Sequence, residues 1–223
     1  PLYFGVFVSL FAYLIGMELK KKFGWPVLNP LLVAIILVIA FLKATGITYT
    51  DYNEGASYIS YFLTPATVCL AIPLYKQLEL LKRNLTAVAT AITAGVIGSV
   101  VSVYVMSMIF KLEHVHYVSL LPKSITTAIG MGVSEELGGL VTITVAVIII
   151  TGVLGNVIAE AVCKIAKIEE PIAKGLALGT SAHAIGTAKA MEMGPVEGAM
   201  SSLAIAVAGL LTVITASVFA GFM

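Results

Sequence analysis

Charge is what this sequence has least of. Lys and Arg number 13 and Asp and Glu 12, together 11% of 223 residues, where soluble domains carry about 25%. With 59% hydrophobic residues, that scarcity excludes a soluble globular domain and leaves a polytopic membrane protein. A net charge of +1 provides no field for nucleic acid, which is excluded as a partner. Cysteine is nearly absent. Cys69 and Cys163 lie far apart in apolar surroundings, which excludes a disulfide framework and a Cys-based metal centre and reads as two inert thiols. HExxH, GxSxG and Walker loops are all missing, so the chain reads as neither an enzyme nor a metal- or cofactor-dependent protein.

What is present is apolar length. Charge-free runs cover residues 85–110, 198–223, 137–159, 55–75 and 23–42, each of about 20 residues or more, enough to cross hydrocarbon. A first run, Leu2 to Met17, is followed by Glu18 and Lys20-Lys21-Lys22. A cleaved signal carries its positive charge before the apolar core, so this run reads as a retained span. The reading is an all-α membrane protein, one integral domain over 1–223, with about six spanning helices near 2–18, 27–44, 55–76, 85–110, 138–163 and 197–222. Two further segments, 115–136 and 171–192, are broken or re-entrant. Pro122, Gly130, Gly132, Gly138 and Gly139 interrupt the first, and Gly175, Gly179 and Gly186 the second.

Basic residues set the expected topology. The clusters are Lys20–Lys22, then Lys76 with Lys82 and Arg83, then Lys164 with Lys167 and Lys174. If 115–136 crosses, the positive charges divide almost evenly between the two sides. If it dips in and returns, all three clusters share one side, the cytoplasmic one, and the N-terminus lies outside. Sliding the chain by about 57 positions aligns Gly95-Val-Ile-Gly-Ser-Val100 with Gly152-Val-Leu-Gly-Asn-Val157, and Pro65 with Pro122. This reads as an inverted repeat with halves at about 55–110 and 115–163, the kind of repeat on which transporters build substrate sites.

Two motifs carry candidate chemistry. In Pro122-Lys-Ser-Ile-Thr-Thr127, helical spacing would set Lys123 beside Thr126 and Thr127, next to Ser124 at the start of a half-helix whose dipole suits a carboxylate. The structural alternative is a lysine snorkelling to headgroups beside backbone-bonded threonines. In Leu176-Ala-Leu-Gly-Thr-Ser-Ala-His-Ala-Ile-Gly-Thr-Ala-Lys-Ala190, Thr180, His183 and Thr187 would form a polar stripe, with Lys189 and Glu192 spaced to pair. His183 could bind an anion, titrate near neutral pH and couple transport to protons, or bond to a neighbouring helix. Ionisable groups at membrane depth usually mark such sites. Glu160 is spaced to pair with Lys164. Asn156 beside it, Ser134-Glu135-Glu136 and the loop residues His114 and His116 carry weaker signals. Ser201 and Ser202 open the last span and could face the 176–190 segment.

These motifs, LPKSITTAIGMGVSEELGG at 121–139 and GLALGTSAHAIGTAKAMEMG at 175–194, with EGAMSSLA at 197–204, Asn29-Pro-Leu-Leu-Val-Ala34 and Leu63-Thr-Pro-Ala-Thr-Val68, resemble the bacterial LrgB/CidB family over nearly the whole chain. The resemblance implies holin-like or antiholin-like control of murein hydrolase activity and autolysis beside an LrgA/CidA-type partner. It equally implies carriage of small carboxylates, because the family is similar to the C-terminal half of the plant plastid glycolate/glycerate transporter, and pyruvate uptake is implied for some members. A multi-pass bacterial cell membrane protein, a homo-oligomer with a small monocarboxylate as substrate, is therefore expected. Three departures stand out. Ser181-Ala182-His183 replaces the usual Ala-Ser-His order, moving the hydroxyl to another helical face. Lys189 stands where Arg is usual, losing a bidentate fork. Ala128 stands where Pro is common.

Overall fold

The computed structural model describes residues 3–25, 28–62, 65, 68, 69 and 71–223. They are overwhelmingly helical, and among them there is no strand. Two compact units, Pro1–Leu70 and Ala71–Met223, are taken in turn.

The first unit holds α1 (Phe4–Phe23), α2 (Pro30–Thr45), α3 (Tyr49–Ala56) and a 3-10 turn over Ser57–Phe62. Lys20, Lys21 and Lys22 occupy the last turn of α1, where cations complement the dipole, and Gly24 closes it at φ 66° with its N–H on the Lys20 carbonyl. Asn29 caps α2, accepting from the N–H groups of Leu31 at 2.9 Å and Leu32 at 3.2 Å, and Pro30 takes the first helical position. Gly16 lets α1 approach the Pro30 backbone. The Ser9 and Tyr52 hydroxyls, 2.6 Å apart, tie α1 to α3. Within the 55–76 run the described residues form the end of α3, the 3-10 turn, helix at 65, 68 and 69, and a short helix over Ala71–Lys76. The Leu63–Val68 motif and the Pro65 alignment fall largely on residues outside those described.

The second unit comprises α4 (Ala71–Lys76), α5 (Leu78–Arg83), α6 (Leu85–Phe110), α7 (His114–Leu120), α8 (Thr127–Glu136), α9 (Val141–Ile165), α10 (Pro171–Met193) and α11 (Pro195–Ala220). Among the described residues, α6, α9 and α11 are the three helices long and apolar enough to cross a membrane. α6 and α11 run parallel: Val88, Ile92 and Val96 cluster with Ala199, Ala204 and Ala208, and further along Val100 and Val103 cluster with Ala216. The α11 side of the seam is alanine, set against valine and isoleucine of α6, because lipid supplies no hydrophobic drive between helices and close van der Waals approach has to hold them.

The two broken segments are both hairpins that enter and leave at the same end of the unit. The first comprises α7, an irregular tip at 121–126 and α8. Its entry is tied to the end of α11, with the Tyr117 hydroxyl donating to the Phe219 carbonyl at 2.8 Å. Its exit returns beside that entry: the Leu140 N–H donates to Ser119 Oγ at 2.7 Å. The second is α10, whose helix breaks at Ala182 (φ −129°, ψ 15°) and His183 (φ 42°, ψ −140°). Its first arm lies along α11 in one direction, Gly175 against Glu197 and Gly179 against Ser201. Its return arm runs back, Thr187 to Ser201 and Met191 to Gly198. In a straight helix Leu178 and Gly186 would be about 12 Å apart, yet a Cβ on Gly186 would stand 2.8 Å from the Leu178 carbonyl oxygen.

The hairpins enter from opposite ends, and their return arms begin alike, with Ala128-Ile129-Gly130 and Ala184-Ile185-Gly186. Each triplet's glycine faces the carbonyl oxygen of the residue eight before it, Gly130 that of Pro122 and Gly186 that of Leu178. Each return arm is also pinned to the following span by one hydroxyl pair: Thr144 Oγ1 donates to Ser134 Oγ at 2.7 Å, and Thr187 Oγ1 lies 2.7 Å from Ser201 Oγ. Thr144 has no exposed surface and bonds the Ser119 carbonyl as well, at 2.9 Å. Thr144→Val keeps the shape but removes the one hydroxyl shared by the Ser119 carbonyl and Ser134 Oγ, and should lower stability by ~1–3 kcal/mol, read as a reduced unfolding temperature in detergent.

Candidate functional site

The two tips meet at the middle of α9. Gly130 of the first hairpin rests on the Ile148 side chain. The carbonyl of the same Ile148 receives His183 Nε2 of the second at 2.9 Å. A carbonyl only accepts, so Nε2 carries the proton. Gly152 makes room for the imidazole: a Cβ there would stand 2.6 Å from His183 Cε1. His183 is buried at 4% exposure. Its left-handed φ of 42°, uncommon for a residue with a side chain, is held by that bond and by the Thr187 hydroxyl on its carbonyl at 3.1 Å.

At the first tip Lys123 is half-buried. Its Nζ donates to Ser124 Oγ at 3.0 Å and to Ser99 Oγ of α6 at 3.3 Å, and the two serine oxygens are 2.9 Å apart. Among the described residues no carboxylate pairs with Lys123. An ammonium has three hydrogens, and the serines take two. Lys123 lines a cavity of about 340 Å3 between α9 and the first arm of α10, with Thr151 and Ser181 beside it and Leu154, Ile158 and Leu178 beyond. It also lines a second cavity of about 230 Å3 against α6 and α7, where Ser102 and Ser107 are its polar neighbours. Lys123 is the one charged side chain in either lining.

The candidate residues therefore divide. Lys123 and Ser124 come together with Ser99, but not through the helical face that would have joined them to Thr126 and Thr127. Residues 121–126 form turns, with Lys123 N–H on the Leu120 carbonyl, and the helix begins only at Thr127. Thr126 becomes the residue before α8, its side chain making no capping bond, so the positive end of that helix's dipole falls on the same tip as Lys123. The Thr180–His183–Thr187 stripe is split by the break at 182–183. Thr180 bonds back to Leu176 and packs on Gly95 of α6, and Thr187 turns to Ser201 of α11. Lys189 lies away from the tips, paired with Glu160 at 2.5 Å and Glu192 at 3.3 Å. Glu160, spaced for Lys164, takes Lys189 instead.

Ser99, Thr151 and Ser181 line or build the site without having been singled out for it. Ser181, its hydroxyl on another helical face than the usual order gives, lines the cavity with Ala177 and Leu178 of the first arm. The signal for Ser99 was the aligned GVIGS and GVLGN: both polar residues hold a hairpin, Ser99 through Ser124 and Asn156 through the Ile185 carbonyl at 2.9 Å. Among the described residues no three His, Cys, Asp or Glu side chains gather as a metal site.

Comparison with known proteins bears on this arrangement. The model of the LrgB-like family matches residues 9–222. The antiholin-like protein LrgB of Bacillus mycoides (strain KBAB4) is 44% identical over 222 residues, covering 99% of this chain and 96% of the relative. The protein of the same name from Bacillus subtilis (strain 168) is 45% identical over 218 residues, covering 97% and 94%. That of Bacillus cereus (strain B4264) is 43% identical over 222 residues, covering 99% and 96%. No solved structure matches.

The glycines of the aligned motif separate packing from propensity. Nothing lies within 4 Å of a Cβ on Gly98, so Gly98→Ala should hold or raise the unfolding temperature, by up to ~1 kcal/mol in stability. Gly152→Ala drives a methyl into the His183 ring and should lower it, a difference in sign that thermal unfolding of the two variants checks.

Proposed function

From a chain that belongs to the LrgB-like family, we propose a multi-pass carrier that moves small monocarboxylates across the bacterial cell membrane by alternating access. One observation carries this reading: Lys123, a half-buried cation with two serine partners and no carboxylate, at the meeting of two hairpin tips. A cation withdrawn from water is costly unless an anion answers it, and a monocarboxylate supplies one charge for one charge. Half-helices ending near a bilayer's midplane are a recurring transporter device. The second cavity supports alternation, because the same ammonium borders space on two sides.

The paired triplets and eight-residue glycine approaches, which recur at offset 56, with a hydroxyl pin on each return arm, support reading residues 114–165 and 171–220 as inverted repeats. Motion of one unit against the other would then open each cavity in turn. The aligned GVIGS and GVLGN motifs bind the 55–110 and 115–163 copies into the same proposal. His183 acts here as the residue that fixes the second tip, with Ser181 facing the solute. Assembly as a homo-oligomer belongs to this reading as well.

A second reading has its own support in the relatives' printed name, antiholin-like protein. In it the chain modulates murein hydrolase activity and autolysis with an LrgA/CidA-type membrane subunit. It predicts dye leakage from vesicles that depends on the partner and shows no saturation by any solute.

The carrier reading is tested in liposomes with labelled glycolate, glycerate, pyruvate and lactate, with and without a proton gradient. Uptake should saturate, and Lys123→Met should reduce it at least ~30-fold, the scale of losing a buried charge partner. Lys189→Met, which removes only the pairing to Glu160 and Glu192, should leave uptake within a few-fold. Uptake no better than empty liposomes across the panel would overturn the carrier reading.

A further inference from the structure

The lining of the larger cavity constrains the solute beyond its charge. Among the described residues, Lys123 is its one charged residue and Thr151 and Ser181 its other hydroxyl side chains, all three near the tips. The remainder includes Leu154, Ile158, Val162 and Leu178, a wall without carboxylate, amide or further cation. The space, about 340 Å3 and open along the side where Leu154, Ile158 and Val162 are exposed, has room for more than the five heavy atoms of glycolate. A dicarboxylate would place its second charge against hydrocarbon, and an amino acid would bring an ammonium that no acidic group meets; both are strongly disfavoured. A sugar acid would lose the hydration of its hydroxyls with nothing to replace it.

We propose that this site selects monocarboxylates that carry an aliphatic body, acids of about four to six carbons with branching tolerated, over hydroxylated acids of two or three. The carboxylate binds at Lys123 with the Thr151 hydroxyl beside it, and the hydrocarbon lies along Leu154, Ile158 and Leu178; the Ser181 hydroxyl lines the cavity with its proton on the Ala177 carbonyl at 2.6 Å. A methylene moved from water onto such a wall strengthens binding about fourfold, so length is read as affinity. The proposal rests on Lys123 being the carboxylate-binding cation of the carrier reading, and adds which carboxylates it accepts.

The test is calorimetric titration of the full chain in detergent with glyoxylate, pyruvate, 2-oxobutyrate and 4-methyl-2-oxopentanoate, followed by 2-oxoglutarate and alanine. Kd should fall about fourfold per added methylene along the first four, and the last two should bind at least 30-fold more weakly than 4-methyl-2-oxopentanoate. A flat or rising series, equal binding of 2-oxoglutarate, or no binding at all would overturn the proposal. Ala177→Phe, which fills the cavity beside Ser181, should raise the ratio of the 4-methyl-2-oxopentanoate Kd to the pyruvate Kd at least tenfold. An unchanged ratio in a folded variant counts against it. The two readings part cleanly: acids that bind in this order but are not taken up by liposomes sink the carrier and leave the selectivity standing. Uptake of glycolate with a flat series does the reverse.

Discussion

Backbone that leaves the helix at membrane depth has no water to satisfy it, so protein must do so. That constraint organises the second unit. The irregular tip at 121–126 and the break at 182–183 are the places where helical bonding lapses, and α6, α9 and α11 are spaced to cover them. Ile148 serves both, through its side chain under Gly130 and its carbonyl on His183. Gly95 and Gly152 lower the surfaces of α6 and α9 where Thr180 and His183 press against them. Serine and threonine supply many of the remaining bonds, as Ser119, Thr144, Thr187 and Ser201 do, answering backbone groups or one another.

The same economy explains why the site is electrostatically spare. A tip held by neutral hydroxyls can present one cation without surrounding it with counter-charges. Lys189, the other buried lysine nearby, is answered by Glu160 and Glu192, whereas Lys123 has only serines. The contrast between two lysines in one unit, one saturated and one open, is what distinguishes a fastening from a binding group here.

Much of this was legible from residue patterns. Runs without charge located α6, α9 and α11, because hydrophobic length is a cumulative signal that single residues cannot disguise. Glycine and proline placed both breaks, and the basic clusters required a re-entrant first segment. The geometry inside the breaks was not legible. Helical spacing joined Lys123 to Thr126 and Thr127 and drew Thr180, His183 and Thr187 into a stripe, and both inferences fail where φ and ψ leave the helix. The partners of Lys123 and Lys189 lie on other helices, Ser99 on α6 and Glu160 on α9, and spacing along one helix cannot report contacts between two. In the apolar run at 55–76 composition measures length alone, and it does not register the 3-10 turn over Ser57–Phe62.

The closeness of Gly186 to the Leu178 carbonyl bears on the order in which the protein is made. Arms of about ten residues are too short to cross hydrocarbon singly, so residues 171–193 cannot enter the bilayer as a pair of successive spans. One docking surface, Ile148, Gly152 and Asn156 of α9, is made before them, and the other, Glu197, Ser201 and Ala204 of α11, leaves the ribosome after them. The second hairpin can rest on α9 at once, but its arms gain their α11 contacts only when the last helix is threaded. The site is closed from its C-terminal end.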